Sequence, residues 1–305
     1  MAAIKRLVLA AGSALLLAAC QGGGVSTPAP DALQGILLPL STYAGARLAG
    51  ERPGDLASQP FVSFAAPAAV TAHGPDLYIA DAGLDAIFQL DTTLQSMRRV
   101  GARRAPMGTR LKALDDGTLY VLDPVARELV RLARDGRVIE RLQDRTLLSG
   151  VADFAVEQAS GRLLLVDRGR NRLIAVSPAL GTSIELALDT PWAIASGPDA
   201  FYVVDRSRRR VTRFVPEAGA TQVFGETVLK LPGVIAVDRY RRVFVQDAGA
   251  NAVLVFLNGE HIATLAASAL GLASIADFAI SGSEFVLAGT GGVRLFRLLA
   301  PREPK

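Results

Sequence analysis

Cysteine is nearly absent: the 305 residues hold one, Cys20, so no disulfide within the chain can staple a fold. Histidine is almost as scarce. With only His73 and His261 available, a three-imidazole zinc site is excluded within one chain. Aromatics make up 6% of the residues and tryptophan occurs once, at Trp192, so apolar bulk must come mainly from aliphatic side chains. Neither a G-x-S-x-G elbow nor a Gly-rich phosphate loop between strand and helix occurs, which leaves no motif for those nucleophilic or phosphate chemistries. The apolar run Leu7 to Ala19 is too short to span a bilayer, which demands about 20 residues.

That run has another use. Lys5 and Arg6 precede it, the order of an export signal. It ends Leu17-Ala18-Ala19-Cys20, which resembles the lipobox of bacterial lipoproteins. The resemblance implies lipidation of Cys20 with palmitate-type acyl chains, and removal of residues 1–19 as a signal peptide. Each buried methylene contributes about 0.8 kcal/mol, and more than one chain gives stable anchoring. Gln21 stands where an aspartate would resemble an inner-membrane retention signal, so an outer-membrane, periplasm-facing location is expected. Residues 20–35 are rich in glycine, proline and small polar residues and read as a flexible tether.

Charge narrows the partners. The whole chain has a pI near 9.5, but residues 1–19 contain two cations and no acid, leaving 31 basic against 29 acidic residues in the mature chain. Bulk charge therefore gives no reason to expect nucleic acid.

Repetition carries the fold. Aligned on an acid, five phrases recur: "LYIADAGLDAIFQL", "LYVLDPVARELVRL", "LLLVDRGRNRLIAV", "FYVVDRSRRRVTRF" and "VFVQDAGANAVLVF". Their acids, Asp81, Asp123, Asp167, Asp205 and Asp247, lie 42, 44, 38 and 42 residues apart. A sixth, degenerate copy, "FVLAGTGGVRLFRL", has Gly289 where the acid would fall. Each phrase is preceded by an apolar stretch with a tight turn and followed by another, as in "DGRVIERL" and "NGEHIATL". Asp-Gly and Asn-Gly suit hairpin turns that need positive φ. "VARELVRLARDG" carries helical spacing at Val125, Leu129 and Leu132, but its five counterparts hold β-branched strands. Four strands per unit and a period near 42 predict an all-β, six-bladed propeller of four-stranded antiparallel blades.

The apolar pair, the acid, the polar turn and the returning strand resemble NHL repeats. The resemblance covers about residues 60 to 300. The propeller is placed at 36–300 and a tail at 301–305, with an early segment, Gly35 to Leu48 or Phe61 to Phe64, completing the last blade. The family implies binding surfaces more than one activity, and fold alone does not assign function.

Candidate sites follow from blade topology. The repeated acids read as clamps for the turn that follows each. On the face shared by those turns, Arg168, Arg170 and Arg172 of blade three adjoin Arg206, Arg208, Arg209 and Arg210 of blade four. Arg103, Arg104 and Arg145 sit in adjoining links. Such a crescent suits a carboxylate or phosphate, or is a rim neutralised by Asp167 and Asp205. Arg239, Arg241 and Arg242 are expected to be exposed on the opposite face. Trp192 opens blade four as core or as a stacking surface. Asp153 and Asp277 open the opposed blades three and six, either as backbone caps or as ligands of a metal ion in the channel.

The leading expectation is a noncatalytic envelope lipoprotein whose propeller is a binding or assembly scaffold. Its partners would be the membrane, through lipid, and a protein or anionic envelope component, with no nucleic acid, no cofactor and no catalytic residue assigned. The alternative is a metal-dependent hydrolase or lyase at the channel, since some enzymes of this shape are lactonases or lyases.

Overall fold

The computed structural model describes residues 33, 35–49, 59–157, 160–177, 181–215 and 219–301. Residues 1–32, and with them Cys20 and almost all of the tether, lie outside the described residues, as do 302–305 of the tail. What is described is an all-β ring of six sheets.

Blade two runs Arg110–Ala113, Leu119–Asp123, Glu128–Leu132 and Val138–Leu142, from the channel outward. Blade three is Val151–Val156, Leu163–Asp167, Arg172–Ser177 and Gly181–Ala187; blade four is Pro191–Ser196, Phe201–Asp205, Arg210–Val215 and Gly219–Phe224. Blade five is Pro232–Val237, Arg242–Asp247, Ala252–Leu257 and Glu260–Ala266. Each neighbouring pair within them is antiparallel. The helical spacing around Leu129 is overruled, and Glu128–Leu132 is a strand. Its side chains answer to the two sheets that sandwich it rather than to local periodicity.

Blade one departs from the four-strand plan, and blade six keeps it with a strand from the other end of the chain. Blade six is Ser274–Ser281, Glu284–Thr290 and Gly292–Leu298, completed by Leu37–Tyr43, which pairs from Leu37 with Leu298 to Tyr43 with Val293. Blade one contains Pro67–His73, Asp76–Asp81, Ala86–Asp91 and Ser96–Arg99, and it has two extra strands. Gly45–Leu48 pairs parallel to Ser96–Arg99, and Phe61–Ser63 pairs antiparallel to Gly45–Leu48. Of the segments expected to close the ring, only Leu37–Tyr43 does so. The other two extend blade one to six strands, and the chain crosses between blades over the single residue Ala44.

Among the described residues the apolar side chains pack in six clusters, and each cluster joins two neighbouring blades. Blades five and six share Phe244, Phe278, Phe285 and Phe296, with Phe244 and Phe285 ring centroids 5.4 Å apart. Blades six and one share Val286, Ile79 and Phe88; one and two, Tyr78, Ile87 and Val130; two and three, Tyr120, Phe154 and Ile174. Blades three and four meet at Leu164 and Val203, and four and five at Val204 and Val245. Burying one such side chain contributes about 1.5–3 kcal/mol, so the ring is held at its seams. Second strands such as Leu163–Asp167 are buried along their whole length, which explains why they do not alternate.

The repeated acids clamp their turns. Asp123 Oδ1 accepts from the Val125 and Ala126 amides, both at 2.8 Å. Asp81 does more, accepting from Gly83 and Leu84 of its own turn and from Ala65 and Ala66 of the incoming link. Asp247 likewise holds Lys230 and Leu231 of the link and Ala250 of the turn. Four residues after each acid the backbone turns left-handed, at Asp85, Arg127, Asn171, Arg209 and Asn251.

The sixth copy has no acid because none fits. A Cβ on Gly289 would lie 1.9 Å from the Ser274 carbonyl oxygen. Its turn is also shorter, with Gly289 paired to Gly292 and Gly291 at φ 111°.

Candidate functional site

Register places one residue from each of five blades at the same level of the channel. Ala69, Arg110, Asp153 and Ala193 face the residue just before the repeated acid, Ala80, Leu122, Val166 and Val204, and Asp277 faces Ala288, just before Gly289. Three of these carry charge. Asp153 Oδ2 accepts from the Ile194 amide at 3.0 Å and Asp277 Oδ2 from the Val70 amide at 2.9 Å. Each acid thus caps the inner strand of the next blade, not its own, and ties two blades together.

Arg110 lies between these acids. Its Nε is 4.0 Å from Asp153 Oδ1, and its Nη1 is 3.9 Å from Asp277 Oδ1. The positive charge that a metal ion would have supplied between Asp153 and Asp277 is therefore a guanidinium. Among the described residues no group of three or more His, Cys, Asp or Glu side chains could hold a metal. The hydrogen bonds to Ile194 and Val70 fit the cap reading of these acids, and Arg110 is an intrachain cation beside both. Burial pushes the Asp277 carboxyl above its usual range, against the opposing pull of Arg110 and Lys112.

The face above this level carries the arginine crescent, which divides into two kinds of residue. Arg170 and Arg172 both bind Asp167 Oδ2, at 3.1 and 3.0 Å. Arg208 pairs with Asp189 at 2.9 Å, and Arg210 reaches Asp189, Asp205 and Glu226. In the links, Arg103 pairs with Glu128 and Arg104 with Asp85. These form a neutralised rim. Arg209 and Arg145 are exposed.

Arg168 and Arg206 behave differently. Neither has an ion pair among the described residues, and both stack on Trp192, with guanidinium carbons 3.2 and 3.7 Å from its ring centroid. Two guanidinium carbons that close to one centroid cannot share a face, so the indole is sandwiched between them. Burial holds the Arg168 guanidinium below its ordinary pKa, and the charges of Arg206 and Arg110 push the same way. Burial also lowers Arg206, and Asp247 opposes that shift. Trp192 is half-buried and packs beside the seam of blades four and five, so it is both core and platform. Sequence singles out all three residues, but their contact depends on blades three and four being neighbours.

The opposite face differs in charge and in the placing of the expected cations. A depression of about 850 Å³ there is lined by Asp115, Glu157, Asp199, Asp238 and Arg239, among others. Arg239 and Arg241 are exposed on this side, but Arg242, expected to join them, is 2% exposed. Its Nε binds Asp238 at 2.6 Å and its Nη2 the Leu299 carbonyl at 2.8 Å, so it is an internal strut. His73 ends the inner strand of blade one, and His261 lies on the outer strand of blade five, 2.9 Å from the Thr264 hydroxyl.

The fold is shared with solved propellers. A structural genomics protein of unknown function from Bacteroides thetaiotaomicron superposes with a TM-score of 0.64 at 14% identity, over 84% of this chain and 75% of that one. A catalytically inactive virginiamycin B lyase from Staphylococcus aureus, solved with quinupristin, gives 0.58 at 12% identity, over 87% and 98%. The propeller in a nidogen/laminin complex gives 0.53 at 14% identity, over 76% and 92%. No protein-family model matches the chain, and no curated protein is significantly similar to it. At these identities the likeness shows the six-bladed propeller alone. A lyase, a protein of unknown function and a binding protein share that architecture.

Proposed function

We propose that this chain is a noncatalytic, lipid-anchored envelope protein whose propeller is a binding scaffold, with the Trp192 face as its recognition surface. The observation that carries the reading is the contrast within the crescent. Four arginines are spent on Asp167, Asp189, Asp205 and Glu226, while Arg168 and Arg206 make no ion pair among the described residues and stack on Trp192 instead. Such charge favours an anionic partner, either a protein or an envelope component. The nidogen/laminin complex supports the use of this fold for protein binding. The anchor is Cys20, and the location is the periplasmic side of the outer membrane.

The test is recovery of partners from solubilised membranes by the native chain and by the Arg168→Glu/Arg206→Glu variant. Loss of a recovered partner in the variant is expected; equal recovery would count against the face. The anchor has its own test: Cys20→Ser should stop globomycin-sensitive processing, and unchanged processing with membrane retention rejects lipidation.

One observation favours a second reading, a metal-dependent hydrolase or lyase at the channel, because a lyase has the same architecture. Arg110 stands against it, since it holds the position between the two acids that the metal would need. Metal analysis of the gently purified protein discriminates, with stoichiometric calcium, magnesium or zinc supporting the enzyme.

A further inference from the structure

We propose that Arg168, Trp192 and Arg206 form a clamp for a single oxyanion, a carboxylate or phosphate group presented at the channel mouth, an inference that rests on the binding-face reading. The first argument is positional. Arg168 and Arg206 each follow the repeated acid by one residue, and their amides bond back to the incoming link, to Gly150 and Thr190 carbonyls. The same backbone bond is made by Ala82 and Ala248 in blades one and five. Small side chains suffice there, so the ring does not need an arginine at this position.

Trp192 shows the same departure. It occupies the extra residue of a β-bulge near the start of the inner strand, between Pro191 and Ala193. The equivalent bulges in blades one, three and six contain Ala68, Ala152 and Ala276. A bulge re-aims a side chain toward the rim of a sheet and is often found beside a site. Three bulky exceptions to the repeat therefore meet at one place on two neighbouring blades.

The second argument is geometric. A guanidinium lying flat on an indole uses its face and leaves its N–H edge free to donate. With the two guanidinium carbons on opposite faces, they are at most about 7 Å apart. One oxyanion can span that gap, accepting one charge-assisted hydrogen bond of about 2.8 Å from each side. The acids that could have filled this role, Asp167 and Asp205, are turned to Arg170, Arg172, Thr190 and Ser207. Two like charges flank one ring with no ion pair to either among the described residues, and an anion removes their repulsion.

Trp192 is the only tryptophan in the chain, so its fluorescence reads this site directly. The full chain in mild detergent is titrated with sodium phosphate, sodium acetate and a glutamate-rich peptide, at constant ionic strength balanced with chloride. A saturable change with at least one oxyanion and none with chloride is expected. Arg168→Gln and Arg206→Gln should each weaken it by about tenfold, as expected for loss of a charge-assisted bond, while Arg208→Gln stays within about twofold. Unchanged melting temperatures show that the variants fold, and Arg206→Lys should recover only part of the affinity because it lacks the planar fork. Saturation by phosphate alone identifies a phosphate-bearing ligand, and saturation by acetate and peptide a carboxylate. A response equal to that of chloride, or one that survives both glutamine substitutions, overturns the clamp. Recovery of an Arg168-dependent partner with no Trp192 response would defeat the clamp alone, whereas saturation with no partner recovered would defeat only the scaffold reading.

Discussion

Arg110 of blade two lies 3.9 Å from Asp277 of blade six, although blade one stands between them in the ring. The guanidinium thus reaches past blade one to an acid of the blade beyond it. Together with Asp153 it forms a three-charge belt at one level. Arg110→Met removes the guanidinium that two buried carboxylates share. Breaking a fully buried pair costs about 3–5 kcal/mol, but this guanidinium is 20% exposed and its separations are near 4 Å. A loss of about 2–3 kcal/mol by urea denaturation is therefore expected. Adding Asp153→Asn and Asp277→Asn should restore most of it, and a triple variant no more stable than Arg110→Met would refute the belt.

The residues of this belt show what a sequence can and cannot disclose. Asp81, Asp123, Asp167, Asp205 and Asp247 are legible because a repeat states the same requirement five times. The caps at Asp153 and Asp277 are half legible: the acid type indicates a backbone acceptor, but its target lies on the next blade, 41 residues from Asp153 and 207 from Asp277. Arg110 gave no signal of its own, since "TRLKAL" is unremarkable until ring closure sets it opposite Asp277. The pairing of the two extra strands with blade one was equally hidden. Gly45–Leu48 pairs with Ser96–Arg99 across some 50 residues, and no local pattern encodes a pairing at that distance. Trp192, Arg168 and Arg206 were visible as types, while their stacking is a property of the seam.

Asp277 also sets a pH dependence. Its folded pKa is raised from 3.8, chiefly by burial. A raised carboxyl contributes stability that is full below the unfolded pKa and is lost as pH rises through the folded one. Asp277→Asn never ionises and retains an oxygen for the Val70 amide. The native chain should therefore lose ground to Asp277→Asn as pH is raised from below 3.8, in thermal melts at matched ionic strength. A difference in melting temperature that is flat across that range would contradict the assignment.

The clamps are unequal, so their removal should be too. Asp81→Ala strands four amides, of Ala65, Ala66, Gly83 and Leu84, and releases the incoming link as well as the turn. Asp123→Ala strands two exposed amides that water can satisfy. Costs of about 3–4 and about 1 kcal/mol are expected, because four part-buried hydrogen bonds to a carboxylate are lost in one case and two exposed ones in the other. Equal losses in denaturant titrations would show that the link contacts contribute nothing.

Gly289→Asp restores the acid that the sixth repeat lacks, and it should harm the protein. The new Cβ would meet the Ser274 carbonyl oxygen at 1.9 Å, which forces apart the inner two strands of blade six. Overpacking costs about 1–3 kcal/mol where neighbours can shift, and a ladder carbonyl has little freedom, so a loss at or above that range is expected. Gly282→Ala is the control, with open space around its Cβ and only a positive φ to oppose it. If Gly289→Asp melts no lower than the control, steric exclusion is not the reason for the missing acid.

Ring closure rests on one seven-residue strand from the other end of the chain. Leu37–Tyr43 covers the outer edge of Gly292–Leu298, and Leu37 itself, 3% exposed, completes the Phe285 and Phe296 cluster. A chain beginning at Gly45 loses that ladder and leaves a bare sheet edge, the kind of surface that pairs with other chains. Losing buried Leu33, Ile36 and Leu37 and the shielding of their neighbours should cost at least about 4 kcal/mol, or roughly 10 °C in melting temperature. A chain beginning at Leu33 keeps the strand and is the reference. If the two truncations melt together and remain monomeric, closure comes from the seam between blades six and one, and the strand is an accessory. A gap between them, narrowed by a synthetic peptide spanning residues 36 to 44, locates the closure in the strand itself, because only register-specific pairing lets a free peptide replace it.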